Sequence, residues 1–208
     1  MSSPDIETQP QQQAHDEAKR NKQGEETERY VIKLLKPLCG RGGQLFSSLD
    51  DKRLFTPNRG KLDILMNLSG VRFAVSVKSN HNEKVKVFYD RKHESIRYST
   101  KKWGKGRFLF DITQQINDQV DWLLANRPKL FSKKKQPKMP WRIIVVCGAP
   151  AFQFQNQVEV VVFPDSPTES INDTEYLKDR GVYVVDQRSL VSLIQALKNK
   201  PNEEYVSN

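Results

Sequence analysis

The sequence predicts an α/β domain built on a mixed sheet, and three observations carry that expectation. Three apolar runs, RIIVVCG (Arg142 to Gly148), VEVVVFP (Val158 to Pro164) and VYVVD (Val182 to Asp186), are rich in β-branched residues, as buried strands tend to be. Two segments repeat apolar residues at helical spacing: Ile112, Ile116, Val120, Leu123 and Leu124 in one, Leu190, Leu193, Ile194 and Leu197 in the other. Strand-like and helix-like segments interleave along 208 residues, a length that suits one domain with polar ends.

Taken in order, residues 1 to 22 are polar, Gln-rich and without periodicity, which predicts a disordered tail or a frayed helix start. The domain itself is expected over residues 23 to 199. Its first helix starts at Gly24, where GEETERYVIKLLKPL sets Tyr30, Val31, Leu34 and Leu35 at helical spacing. Acids crowd its first turn, where the helix dipole favours them, and Pro37 with Gly40 marks the stop. CGRGGQLFSSLDDKRLFTPNRG reads as loop around one short strand, Gln44 to Ser48. GKLDILMNLSGVRFAVSVKSN reads as a hairpin, with strands from Leu62 to Asn67 and from Val71 to Lys78 and a turn at Ser69-Gly70. Lys84 to Tyr98 starts like a strand and drifts towards a helix, and KKWGKGRFLF after it is basic and broken by glycine. A helix from Asp111 to Ala125, the basic loop SKKKQPKMP and the three apolar runs follow. Ser189 is placed to cap the last helix, and residues 200 to 208 form a flexible tail.

The net charge of +9 favours polyanionic partners such as nucleic acid. Cys39 and Cys147 lie far apart and His15, His81 and His93 are scattered, so neither a zinc site nor a disulfide framework is implied. The cysteines read as small apolar core residues in a reducing compartment. The N-terminus lacks the apolar stretch of a secretory signal, and no apolar run approaches a membrane span. A soluble, cytoplasmic protein without a membrane partner is expected.

One residue breaks the apolar pattern. Asp63 sits among Leu62, Ile64, Leu65 and Met66, and a buried carboxylate needs a partner, a metal or a wet cleft. Side chains alternate faces along a strand, so Arg72, Ala74, Ser76 and Lys78 share one face of the second hairpin arm. An even-membered turn around Leu68-Ser69 puts Asp63 opposite Ala74, on the face of Ser76 and Lys78, with the diagonal neighbours within joint reach of a phosphate or metal. A hard cation such as Mg²⁺ takes carboxylate oxygens, keeps several waters and accepts substrate phosphate. A lysine beside it can orient water or stabilise transition-state charge. Against this stand structural readings of the same residues. Asp63 can pair with Lys61 or Lys78 at a strand edge, and Lys78 can be a solvated strand end. Glu25, Glu26 and Glu28 can simply favour a helix N-terminus, and Gln114, Gln115 and Gln119 can face solvent. Ser76 can be a satisfied polar core residue, and it has no evident His–Asp pair to make it a nucleophile.

Asp63, twelve residues, then Ser76-Val77-Lys78 resembles the D…(D/E)xK signature of the PD-(D/E)XK nuclease superfamily. The helix carrying GEETER resembles the first motif of that superfamily's nuclease-related domain (NERD). It is also similar to archaeal Holliday-junction resolvases, as is KSNHNEKVKV after the lysine; the later VYVVDQRSLVSLI looks more like the nuclease-related domain. The resemblance covers roughly residues 24 to 198. It implies a restriction-endonuclease-like fold, a mixed central sheet flanked by helices, and Mg²⁺- or Mn²⁺-dependent hydrolysis of phosphodiester bonds in DNA, with RNA second. By it Glu28 is the first-motif acid, with Glu25 behind it, and Asp63 is the main metal ligand with Glu28 joining it. Lys78 is then the charge-stabilising or water-orienting residue and Gln115 the helical glutamine. Ser76 departs from the pattern, because it stands where the family usually has an acid and is a neutral, shorter and poorer Mg²⁺ ligand. The alternative is therefore a nuclease-fold protein with a weakened site that binds nucleic acid as a subunit of a larger complex. Resolvases of this kind work as dimers, so a homodimer belongs to the same expectation. The basic stretch of Lys101, Lys102, Trp103, Lys105 and Arg107 suits phosphate contacts with one aromatic for base stacking; a second basic loop holds Lys133 to Lys135.

Overall fold

The computed structural model describes residues 9–79, 85–90, 95–101, 107–131, 137–147 and 182–200. Helix α1 (Gln9–Cys39) opens the chain, well ahead of the expected Gly24. Gln, Ala, Glu, Lys and Arg between residues 9 and 23 are good helix formers, so propensity carries the helix where no apolar stripe announces it. Pro10 falls in the first turn, where its missing N–H costs nothing. Pro37 does not end the helix. It lies inside the last turn, and the chain breaks at Gly40, whose φ of +49° suits glycine. The expected stripe holds at Val31 and Leu35, which are buried, whereas Tyr30 is largely exposed.

Strands β1 (Gln44–Ser47), β4 (Ile64–Leu68), β5 (Val71–Ser79), β9 (Trp141–Cys147) and β10 (Val182–Asp186) form one sheet in the order β1-β4-β5-β9-β10. The first three strands pair antiparallel and the last two join in parallel, which makes the sheet mixed. Between β1 and β4 lies a two-stranded ribbon, β2 (Phe55–Thr56) and β3 (Gly60–Lys61). In the stretch expected to drift from strand to helix the described residues are strand, β6 (Val85–Asp90) and β7 (Ser95–Lys101); with β8 (Arg107–Asp111) they make a separate antiparallel sheet, with β7 close to the next helix. That helix is α2 (Ile112–Asn126), capped by the Asp111 carboxylate on the Gln114 amide; α3 (Leu190–Lys198) is the last element.

The β4–β5 turn decides which residues meet. Leu68 pairs with Val71, so the turn is the two residues Ser69 and Gly70, both at positive φ (52° and 91°), the hairpin turn that suits the twist of its strands. Register then sets Ile64 against Val75 and Leu65 against Ala74. Asp63 comes level with Ser76, two residues beyond the expected Ala74. A slip of two keeps the face, so the predicted convergence survives the register error.

Each face of the sheet buries its own core. On one, Val31 and Leu35 of α1 and Leu190, Leu193, Ile194 and Leu197 of α3 pack on Ile64, Met66, Phe73, Val75, Ile143 and Val145. On the other, Ile112, Ile116, Val120, Leu123 and Leu124 of α2 pack on Leu65, Ala74, Ile144, Val146, Val182 and Val184. Each such side chain contributes about 2 kcal/mol by leaving water, which drives the three-layer arrangement. Cys147 is buried in the first core and Cys39 lies at its edge; neither is in a disulfide. No helix among the described residues is long and apolar enough to cross a membrane. The run Val158 to Pro164, Lys133 to Lys135 and residues 201–208 lie outside the described residues.

Candidate active site

Strand alternation puts Ser76 and Lys78 of β5 on the α2 face, in phase with Ala74. Asp63, just before β4, shares the phase of Leu65 and reaches the same face. Its Oδ2 accepts the Val77 backbone N–H at 2.7 Å and the Ser76 hydroxyl at 3.3 Å. Its backbone carbonyl accepts the Ser48 N–H at 2.9 Å. The other oxygen, Oδ1, accepts no hydrogen bond from the described residues. Burial raises the Asp63 carboxyl above its ordinary pKa; the Lys78 ammonium, the Val77 amide and Lys61 pull it back, and the Glu28 charge adds to the rise.

Lys78 reaches across the face to α2, where its Nζ donates to Gln115 Oε1 at 3.2 Å. Gln115, the helical glutamine of the resemblance, is thus the residue that touches the lysine. Gln114 is exposed, as expected. Gln119 is not: it is 1% exposed, and its amide donates to the carbonyls of Arg59 and Lys61 at 2.8 and 2.9 Å. The expectation that it faces solvent fails because it lies one helical turn from Gln115, over the β2–β3 turn.

Glu28 approaches from α1 and is 3% exposed. Its Oε1 accepts the hydroxyls of Ser47 and Ser48 at 3.0 and 2.9 Å, and its Oε2 pairs with Lys61 Nζ at 2.9 Å. Lys61 is therefore the partner of Glu28, where strand-edge reasoning offered it to Asp63. Glu25 and Glu26 are exposed on the outside of the helix. Sequence reasoning missed Ser47, Ser48 and Lys61 as a set because their meeting depends on two long-range packings, α1 on the sheet and the β2–β3 ribbon folded back towards α1.

Among the described residues no group of three or more His, Cys, Asp or Glu is placed to share a metal ion. A divalent ion caged by protein carboxylates does not fit here. One held by Asp63 alone, and otherwise by water and a substrate phosphate, does fit, because Oδ1 of this buried acid takes no hydrogen bond from the described residues. Of the basic stretch, Lys101 and Arg107 are paired across β7 and β8; Lys102, Trp103 and Lys105 lie outside the described residues. No family model matches the chain, and no curated protein or solved structure is significantly similar to it.

Proposed function

We propose that this chain is a metal-dependent nuclease that hydrolyses phosphodiester bonds in DNA, with the PD-(D/E)XK nucleases as the superfamily it resembles. The observation that carries the reading is the convergence of Asp63, Ser76, Lys78 and Gln115 on one sheet face, in the chain order that the D…(D/E)xK pattern requires. The order β1-β4-β5-β9-β10, with an antiparallel hairpin feeding a parallel half, supports a restriction-endonuclease-like reading of the fold.

Asp63 would hold the ion; Glu28, whose oxygens are taken by Ser47, Ser48 and Lys61, would stand beside it as the first-motif acid rather than as a second ligand. Bound there, Mg²⁺ or Mn²⁺ supplies Lewis-acid polarisation of the phosphate and a water of lowered pKa. Lys78 carries a fixed positive charge on the same face, aimed by Gln115, and offsets charge that gathers on phosphate oxygens as the bond breaks. Lys101, Lys102, Lys105 and Arg107 offer phosphate contacts without base specificity, and Trp103 offers a stacking surface.

A second reading, a nucleic-acid-binding subunit with a weakened site, is favoured by Ser76, which gives the face a hydroxyl in place of a second carboxylate. Incubation with supercoiled, linear, branched and single-stranded DNA in Mg²⁺, Mn²⁺ or EDTA separates the two. Metal-dependent cutting that falls about a hundredfold or more in Asp63→Ala and Lys78→Ala is expected. Salt-sensitive binding without cutting selects the second reading, and neither binding nor cutting removes both.

A further inference from the structure

We infer that Lys61 is a built-in cation that occupies Glu28 and thereby limits the site to a single divalent ion carried by Asp63. The inference deepens the nuclease reading and rests on it for the ion concerned.

Three donors close on the Glu28 carboxylate: the hydroxyls of Ser47 and Ser48 on Oε1 and the Lys61 ammonium on Oε2. All three distances are 3.0 Å or less, and the acid is almost fully buried. An ion that recruited Glu28 would have to displace the ammonium or sit beside it, cation against cation. Lys61 is also not a loosely tethered surface lysine. Its backbone carbonyl accepts from buried Gln119, which holds the Arg59 carbonyl with the same amide nitrogen. The Thr56 hydroxyl donates to the carbonyl of Gly60 at 2.8 Å. Gly60 sits at φ +78°, where an added Cβ would lie 3.7 Å from the side-chain amides of Gln115 and Gln119. The ribbon that carries Lys61 is therefore pinned against α2 at Arg59 and Lys61 and braced within itself at Gly60, and the Lys61 side chain reaches a buried carboxylate.

The link to Asp63 is short. Ser48 gives its hydroxyl to Glu28 and its backbone N–H to the Asp63 carbonyl, so one residue touches both acids. Asp63 feels the charges of Glu28 and Lys61 alike. Lys61 cancels the charge of Glu28, and Lys78 on the same face offsets part of that of Asp63, so the site offers at most the single charge of Asp63 to a hydrated ion. Without Lys61 the charge of Glu28 would be free as well, which favours a tighter or second ion.

The test is Mn²⁺ binding to the full chain without nucleic acid, by titration calorimetry and by loss of the free-Mn²⁺ paramagnetic signal, on variants shown by circular dichroism to be folded. Lys61→Met should bind Mn²⁺ roughly tenfold more tightly than the wild type, as expected when a charged ligand is added to a hard-cation site. Lys61→Gln can still donate to Glu28 and should show a smaller gain; it serves if Lys61→Met does not fold. The gain should vanish when Glu28→Gln is combined with either. Equal or weaker binding in folded Lys61 variants overturns the inference, as does a gain that survives Glu28→Gln or an absence of Mn²⁺ binding in every form. Failure of the nuclease reading shows elsewhere, as DNA left uncut in any metal.

Discussion

Glu28 and Asp63 are both buried acids at one end of the same sheet, and they are treated in opposite ways. Glu28 has a full set of partners: two serine hydroxyls on one oxygen and an ammonium on the other. Asp63 has a backbone amide and a longer hydroxyl contact on one oxygen and nothing from the described residues on the other. Burial raises the pKa of Asp63, although two lysines act against it. A buried charge whose partners are complete stabilises the fold or is neutral to it; one whose partners are incomplete costs stability until something else supplies the missing charge. The difference separates an acid whose charge the fold itself answers from one whose charge it answers only in part.

The largest effect that would break this comparison is on folding. Glu28→Leu removes the acceptor of three donors at once, leaving two buried hydroxyls and an ammonium that must turn outward. A loss of about 3 kcal/mol in urea unfolding is expected, while Asp63→Leu should cost clearly less. Equal losses would mean that both acids are structural.

The two sites also differ in how far they can be read from sequence. Asp63, Ser76 and Lys78 lie on adjacent hairpin arms, so alternation alone brings them to one face, and even a register error of two residues left them together. The difference lies in the turn, whose two positive-φ residues are Ser69 and Gly70, one position later than the expected Leu68-Ser69. Glu28 and Lys61 are joined by no periodicity; their contact exists only once α1 is packed and the β2–β3 ribbon is folded back. Gln119 hides for a similar reason, since a glutamine on a helix looks solvated until another segment offers it carbonyls. Strands β7 and β8 were obscured by composition. SIRYSTK and RFLFD follow charged or Gly-rich stretches, and their pairing in a separate sheet is a tertiary fact that no local pattern encodes. The parallel half was legible where apolar β-branched residues run together, as in IIVV and VYVV.

An intermediate effect sharpens the contrast from the Asp63 side. Ser76 is buried and donates to Asp63, opposite Ile144 on β9. Ser76→Glu puts a second carboxylate beside the first, with a longer side chain in a packed strand. Without divalent ions it should lose about 2 kcal/mol. If the face is built for an ion, Mn²⁺ should return much of that loss and bind more tightly than to the wild type, both visible in thermal unfolding with and without EDTA. Destabilisation untouched by Mn²⁺ would count against Ser76 as the position of the motif's acid.

The smallest effect is the most direct reading of Asp63 itself. Because its folded-state pKa is raised, the native protein holds the Asp63 proton more tightly than the unfolded chain does. At neutral pH the charged, buried form therefore costs stability. That cost shrinks as pH falls through the raised folded value and is gone below the unfolded value of about 3.8. Asp63→Asn keeps an oxygen for the Val77 amide and removes the charge. It should stabilise the protein at pH 7 in EDTA, and the gain should fade as the pH falls towards the unfolded value. Glu28→Gln should do the reverse at pH 7, since there the charge has its counter-ion in Lys61. Opposite signs for the same chemical change, a short distance apart, would separate the acid with its own cation from the acid without one.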